Sequence, residues 1–294
     1  MPATFTVRPK GQFDLKNQNQ YFGSWPTVGE SIVMAFPVEG WRGSAAVQLS
    51  QRGQTIHGRI VGPAALHAKA KEQALAALSL DVDGAGWAAV GKHDPFIGQL
   101  QQRYRYLRPV LFHSPYEAAA HFVIAHRIRM LQARTIRARM AEQLGASIKV
   151  DGATVHAFPL PQELLKLTSF AGLNALKVER LHAVAHAALD GRLDRERLRS
   201  MPIEKALVEL QEIPGIGPFF ASAIVFRGAG VVDQVTEDHI TPFAVKTAYK
   251  LKHLPTPAEV LKIAERWKPY RMWALVQLHV WVRREVGLPK QPKR

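Results

Sequence analysis

Two short stretches of this sequence hold residues whose types and spacing suit chemistry. The first is Ile213-Pro214-Gly215-Ile216-Gly217, which joins an amphipathic pattern (Ile203, Leu207, Leu210) to a second helix predicted to start at Pro218. Glycine lets the backbone turn sharply and brings amides close to a ligand, because no Cβ intervenes. The amides of such a hairpin, with the helix N-terminus that follows, aim at one point and suit a phosphate. The loop offers nothing that reads base edges, so it would hold a strand without selecting sequence. An ordinary helix–helix turn is the plainer reading of a lone Gly-x-Gly. The second stretch is Val235-Thr236-Glu237-Asp238-His239, just ahead of a helix start at Thr241-Pro242. A helix N-terminus helps keep a nearby carboxylate ionised, and a fixed carboxylate stabilises positive charge or activates water. The competing role for Asp238 is to cap that helix or to pair with arginine. Asp233 and Glu237 are the nearest rivals and read as structural. His182 and His186 stand at i, i+4 but have no nearby Glu or third ligand, so no metal site is assigned.

Composition names the class of partner. Among 294 residues, 39 Lys plus Arg face 24 Asp plus Glu, a formal charge of +15 with the 12 His neutral. Residues 103–139 carry Arg103, Arg105, Arg108, Arg127, Arg129, Arg134, Arg137 and Arg139 against one acid, Glu117. A second basic group closes the chain at Arg283, Arg284, Lys290, Lys293 and Arg294. Such clusters bind phosphates with a salt-dependent affinity; a solvated helix face and a tail are the bland alternative. Charge alone does not separate DNA from RNA. The lack of cysteine excludes a disulfide scaffold, a thiolate zinc site, a Cys nucleophile and a Cys-ligated iron–sulfur cluster. No run approaches the roughly 18 apolar residues of a membrane span, and the N-terminus does not read as a signal peptide. A soluble, intracellular protein without membrane contact, with a polyanionic partner, is expected.

The elements that must position these residues are mostly helices. Residues 1–88 read as a small α+β, β-rich domain. Val47 and Leu49, the turn Gln51-Arg52-Gly53-Gln54, then Ile56 and Ile60 form a hairpin signature, and Pro63 to Leu80 reads as a helix. Asp83-Gly84-Ala85-Gly86 breaks the pattern. Residues 89–294 then read as an all-α domain with a basic tail. Ser114-Pro115-Tyr116-Glu117 and Thr256-Pro257-Ala258-Glu259 are capping boxes with a first-turn proline, and Thr241-Pro242 is a third start. Further helices are predicted over 161–167, 172–189, 203–211 and 218–228.

The hairpin and its surroundings resemble the helix-hairpin-helix (HhH-GPD) DNA glycosylase superfamily, and within it the AlkA type, 3-methyladenine DNA glycosylase II. The likeness runs over most of residues 94–285. It takes in Asp94-Pro95, Arg108-Pro109, Pro115-Tyr116-Glu117 and Phe158-Pro159-Leu160-Pro161. It continues through Gly172-Leu173 with Lys177, the hairpin, Asp233 to Asp238, and Trp267-Lys268-Pro269-Tyr270-Arg271. Residues 1–88 match that family's N-terminal β-rich domain more vaguely.

The resemblance implies a monofunctional enzyme that excises alkylated purines from double-stranded DNA, mainly 3-methyladenine and also 7-methylguanine. A glycosylase for deaminated or oxidised purines, or a non-catalytic DNA-binding protein on the same scaffold, are the alternatives. Asp238, 21 residues beyond Gly217, matches the family's catalytic aspartate. Phe219 stands where the lyase branch carries its lysine, so no Schiff base forms. The resemblance points to Phe219 and Trp281, with His239 and Tyr21, for the base pocket; plain core packing is the competing role of the aromatics. Phe219 and Ala223 stand where the family often has Trp or Tyr, a thinner lining. Where the family has its DNA wedge, this chain reads Ala125-His126-Arg127-Ile128. Arg127 either enters the stack, with His126 beside it, or contacts phosphate with Arg134. Pro214, Gly215, Ile216 and Gly217 would touch the DNA backbone. No organic cofactor is implied, only a monovalent cation on the carbonyls of Ile213, Gly215 and Ile216.

Overall fold

The larger sheet of this protein is five-stranded and antiparallel. A computed structural model describes residues 3–22, 25–236 and 238–288, with backbone alone for 20–22. The strands are β1 (Ala3–Val7), β2 (Thr27–Val28), β3 (Ser31–Pro37), β4 (Ser44–Arg52) and β5 (Thr55–Val61), in the order β1-β5-β4-β3-β2. The expected hairpin is β4–β5: Arg52 pairs with Thr55 across Gly53-Gln54, and Gly53 supplies the left-handed turn position at φ +56°. Strand β5 buries every second residue, as a half-covered sheet requires.

By contact the chain divides into two compact units. The first comprises residues 1–8, 24–81 and 111–230; the second comprises 9–23, 82–110 and 231–294. These units cross the residue-88 boundary drawn from sequence composition, since 82–110 falls wholly in the second.

In the first unit the sheet packs against helix His67–Ala77, which buries Ala70, Ala74 and Ala77. A two-stranded hairpin, β6 (Ser147–Val150) and β7 (Ala153–His156), also joins that sheet; Val150 and Val155 pack with Val33 and Ala46. This hairpin departs from the expected all-α reading. Its turn, Asp151-Gly152, puts both residues at positive φ (+47° and +84°), and Asp151 accepts hydrogen bonds from Gln48 and Arg59 of the sheet. The unit's helices include Pro115–Ala125, Met130–Leu144, Ala175–Leu189, Ile203–Gln211 and Pro218–Ile224, the last continuing as a π-helical turn Val225–Ala229. The helix expected from residue 172 starts at Ala175, because Gly172 adopts φ +95° and Asn174 caps the Lys177 amide at 2.9 Å. The capping box expected at Ser114 is half made. Ser114 accepts the Glu117 amide at 3.1 Å, but the Glu117 carboxylate turns inward to His113 and Arg137.

The second unit is helical: Leu15–Phe22, Trp87–His93, Pro95–Arg103, Thr241–Ala248, Pro257–Ala264 and Arg271–Trp281. Its core holds Trp87, Ile97, Leu100, Val245, Trp267, Trp273 and Leu278. Gly91 and Gly98 let helices Trp87–His93 and Pro95–Arg103 approach closely, since a Cβ on Gly98 would lie 2.6 Å from the Gly91 carbonyl oxygen. The capping box at Thr256 and Glu259 is complete. No helix among the described residues is long and apolar enough to cross a membrane.

Candidate functional site

The hairpin belongs to the first unit and is built from inside out. Leu210, Ile213 and Ile216 are buried, and the Ile216 amide donates to the Ile213 carbonyl at 2.9 Å. These anchors leave Pro214, Gly215 and Gly217 to shape the turn. Gly215 takes φ +90°, where L side chains are strained. A Cβ there would also lie 2.5 Å from Cδ of Arg180. Gly217 is different: at φ −89° and ψ −178° any residue fits, and a Cβ would meet nothing within 4 Å. Nothing inside the protein demands glycine at 217.

Phe219, in the first turn after the hairpin, is 55% exposed and tilts against Phe220 at 5.9 Å. Phe220 stacks on Phe122 at 5.5 Å and meets the His126 ring edge-on at 5.7 Å. The segment after helix Pro115–Ala125 is therefore placed beside the helix that follows the hairpin. In that segment Arg127 is exposed and left-handed, at φ +56°. Lys177 fixes the end of the preceding helix by donating from Nζ to the Ile124 carbonyl at 2.7 Å. Burial lowers the pKa of His126, and Arg127, Arg180 and Lys177 lower it further.

Asp238 belongs to the second unit. Oδ1 accepts the amides of Ile240 at 2.7 Å and Thr241 at 2.9 Å; Oδ2 accepts the hydroxyls of Thr236 and Thr241, each at 2.8 Å. The capping side chain of helix Thr241–Ala248 is thus Asp238, and Thr241, expected as the cap, is its first residue. His279 Nε2 stands 3.7 Å from Oδ2 and 3.0 Å from the Thr241 hydroxyl oxygen. Burial by itself would raise the Asp238 pKa, but His279 and the donors from Thr241 and Thr236 outweigh it and hold the carboxyl below its usual range. The side chain keeps 13% of its surface exposed.

The loop leading to Asp238 is tied down by its own rival. Asp233 accepts Arg271 Nε at 2.8 Å, and the Asp233 carbonyl accepts Nη2 at 2.7 Å. His239 is exposed. Trp281 sits at the core margin, edge-on to Phe96 at 4.9 Å. The side chain of Tyr21, residue Glu237 and the basic residues Lys290, Lys293 and Arg294 lie outside the described residues. His182 is engaged by the Leu167 carbonyl at 2.8 Å, and no group of three or more His, Asp or Glu among the described residues is arranged to hold a metal ion.

Sequence reasoning missed Arg180 and His279. His279 meets Asp238 and Thr241, and Arg180 packs at Gly215, through contacts distant in sequence that no local pattern announces.

No protein-family model matches the chain. It is 26% identical over 208 residues to a DNA-3-methyladenine glycosylase of Bacillus subtilis, covering 68% of this chain and 67% of that one. It is 30% identical over 172 residues to DNA-3-methyladenine glycosylase 2 of Escherichia coli, a match spanning 56% of each chain. Among solved structures it resembles a 3-methyladenine DNA-glycosylase from Archaeoglobus fulgidus, with a TM-score of 0.77 at 19% identity over 95% of this chain and 98% of that one. It also resembles an 8-oxoguanine glycosylase/lyase of Clostridium acetobutylicum solved with double-stranded DNA, at 0.70 and 16% identity over 98% and 99%. Likeness to the solved structures is one of fold.

Proposed function

We propose that the chain is a monofunctional glycosylase of base excision repair, of the AlkA type within the HhH-GPD DNA glycosylase superfamily; the similarity to two DNA-3-methyladenine glycosylases and the fold support the reading. It hydrolyses the N-glycosidic bond of alkylated purines, 3-methyladenine first and 7-methylguanine second, in nucleotides flipped out of double-stranded DNA. Flipping costs a few kcal/mol. The observation that carries the reading is the Asp238 carboxylate, held ionised by four donors and by His279.

Breaking the C1′–N bond leaves an oxocarbenium-like sugar, and a fixed anion stabilises it. With all four lone-pair directions engaged, Asp238 is a poor proton acceptor. It acts on the sugar's charge more than on water. Alkylation at N3 or N7 already makes the base a cation, so it departs without a proton from the enzyme. Aromatic faces attract such a ring, and Phe219, exposed and without an amine, serves stacking and not lyase chemistry. Trp281, His239 and Tyr21 are the other pocket candidates, and Arg127 with His126 the wedge.

The hairpin Pro214–Gly217 contacts the DNA backbone. A monovalent cation, when bound to the carbonyls of Ile213, Gly215 and Ile216, supplies positive charge for a phosphate; the Ile213 carbonyl keeps one lone pair beside its bond to the Ile216 amide. The protein works as a cytoplasmic, nucleoid-associated monomer. The fold likeness to an 8-oxoguanine glycosylase/lyase favours one second reading, a glycosylase for oxidised or deaminated purines.

Base release from a panel of duplexes carrying alkylated, oxidised and deaminated purines separates the two. Release of 3-methyladenine is expected; release of oxidised or deaminated purines alone would replace the first reading with the second. In Asp238→Asn, release should fall by at least about 100-fold while DNA affinity persists. Unchanged release would remove Asp238 from the chemistry.

A further inference from the structure

Arg180, on helix Ala175–Leu189, has its stem laid across the hairpin. A Cβ at Gly215 would come within 2.5 Å of its Cδ, 2.8 Å of Cγ and 2.9 Å of Nε. The space that Gly215 leaves empty is thus filled by the side chain of Arg180, which is half-buried at the turn. Several arginines of the first unit are neutralised: Arg137 by Glu117, Arg197 by Glu209, Arg199 by Asp81 and Arg59 by Asp151. Among the described residues Arg180 has neither an ion pair nor a hydrogen bond, and Arg127 has neither.

These two arginines also share a neighbourhood. The charges that act on the His126 ring are those of Arg127, Arg180 and Lys177, all cationic. Lys177 is occupied by the Ile124 carbonyl. Arg127 follows His126 in the chain and Arg180 acts electrostatically on the same ring, with no carboxylate among the groups acting on it, so this patch of the first unit is cationic. Guanidinium suits phosphate, because its planar fork donates to two oxygens at once.

We propose that Arg180, with Arg127 beside it, forms a phosphodiester-binding site at the hairpin, with Gly215 kept as glycine partly to seat the Arg180 stem. The site takes a DNA strand phosphate. It rests on the reading of the hairpin as a DNA contact, and adds to it a side-chain cation that a backbone-only grip lacks. Of the two roles open to Arg127, it favours phosphate contact over entry into the base stack.

The test is the salt dependence of binding to a fluorescent duplex carrying an abasic-site analogue, followed by anisotropy between 50 and 300 mM KCl, a range chosen as roughly that over which counterion release dominates. In Arg180→Gln the dissociation constant should rise about three- to tenfold near 0.1 M salt, and the slope of log K against log salt should lose about one unit. Arg180→Lys should restore the slope. A companion measurement needs no variant: phenylglyoxal modification of wild-type Arg180, read by mass spectrometry, should be suppressed by the duplex. An unchanged slope in folded Arg180→Gln, or equal modification with and without DNA, overturns the site. The base-release panel on the wild type keeps the two readings apart. Release of alkylated purines with an unchanged slope sinks only the Arg180 site. A reduced slope without release sinks only the chemistry.

Discussion

Thr241 donates both its backbone N–H, at 2.9 Å, and its hydroxyl, at 2.8 Å, to the carboxylate of Asp238. A hydroxyl has one proton, so the 3.0 Å approach of His279 Nε2 to the same oxygen requires that nitrogen to be the donor. A chain of donation runs from imidazole through hydroxyl to carboxylate and keeps negative charge on Asp238. Thr241→Val removes the middle link and keeps the shape. The carboxyl pKa should rise towards its ordinary value, and base release should fall roughly tenfold, as the loss of one bond to a charged group implies. The acid limb of the rate–pH profile should move upward; a limb that stays in place would disconnect the two residues. In stability terms, the depressed pKa contributes above about pH 3.9, the ordinary aspartate value, and is lost as pH falls through the folded value.

The two hairpin glycines should separate under the same substitution. Gly215→Ala forces a side chain to φ +90° and against Arg180, so it should destabilise the fold by about 1–2 kcal/mol or more. Gly217→Ala meets open space at an ordinary φ, and the weaker helix start should cost about 1 kcal/mol at most. Its effect belongs to binding: a Cβ there stands in the path of an approaching strand. DNA affinity in Gly217→Ala should fall about tenfold with the melting temperature nearly unchanged. Wild-type affinity would mean the strand does not approach that carbon.

Asp94 shows how a motif that marks a family serves the scaffold. The side chain is fully buried; Oδ1 caps the amides of Phe96 and Ile97, and Oδ2 accepts from Tyr249 at 2.7 Å and Trp267 at 3.1 Å. Asp94→Ala strands the Tyr249 hydroxyl, leaves Trp267 Nε1 only its 3.2 Å bond to that hydroxyl, and removes a cap. It should cost on the order of 3 kcal/mol, a melting shift of roughly 6–12 °C. Base release by the folded fraction, measured well below the transition, should match wild type. A selective loss of release without destabilisation would put Asp94 in the chemistry.

What could be read from the sequence was what is local in it. The Gly-x-Gly turn, the β4–β5 hairpin and the Thr256 cap each depend on residues within a few positions, and each stands where expected. The arginines of 103–139 were not separable, because their partners are distant in sequence. Arg108 is buried, donates to the Lys10 and Gln12 carbonyls and stacks over Trp273 at 4.9 Å, while burial pulls its pKa down to about 10. Arg137 pairs with Glu117, Arg103 with Glu285 and Arg105 with Asp14, leaving Arg127, Arg129, Arg134 and Arg139 exposed without an ion pair among the described residues. The Asp151-Gly152 turn was legible, a strong hairpin signal flanked by alternating Ile148, Val150 and Val155. The helical pattern on both sides hid it.

Glu39 gives the first unit a pH-dependent stability of its own. Its side chain is buried, and burial pushes its pKa up to about 7, although Arg195 at 3.9 Å and Lys69 at 3.8 Å pull the other way. Folded Glu39 holds its proton where the unfolded chain has released it. Its contribution to stability is therefore greatest below about pH 4.5, declines as pH rises towards 7, and stays low above it. Glu39→Gln keeps the amide-sized shape and cannot ionise. Wild type should lose on the order of 2 kcal/mol relative to the variant between pH 5 and pH 8, several degrees of melting temperature. Parallel melting curves against pH for the two proteins would show that the Arg195 and Lys69 charges already balance the cost of burying the carboxylate.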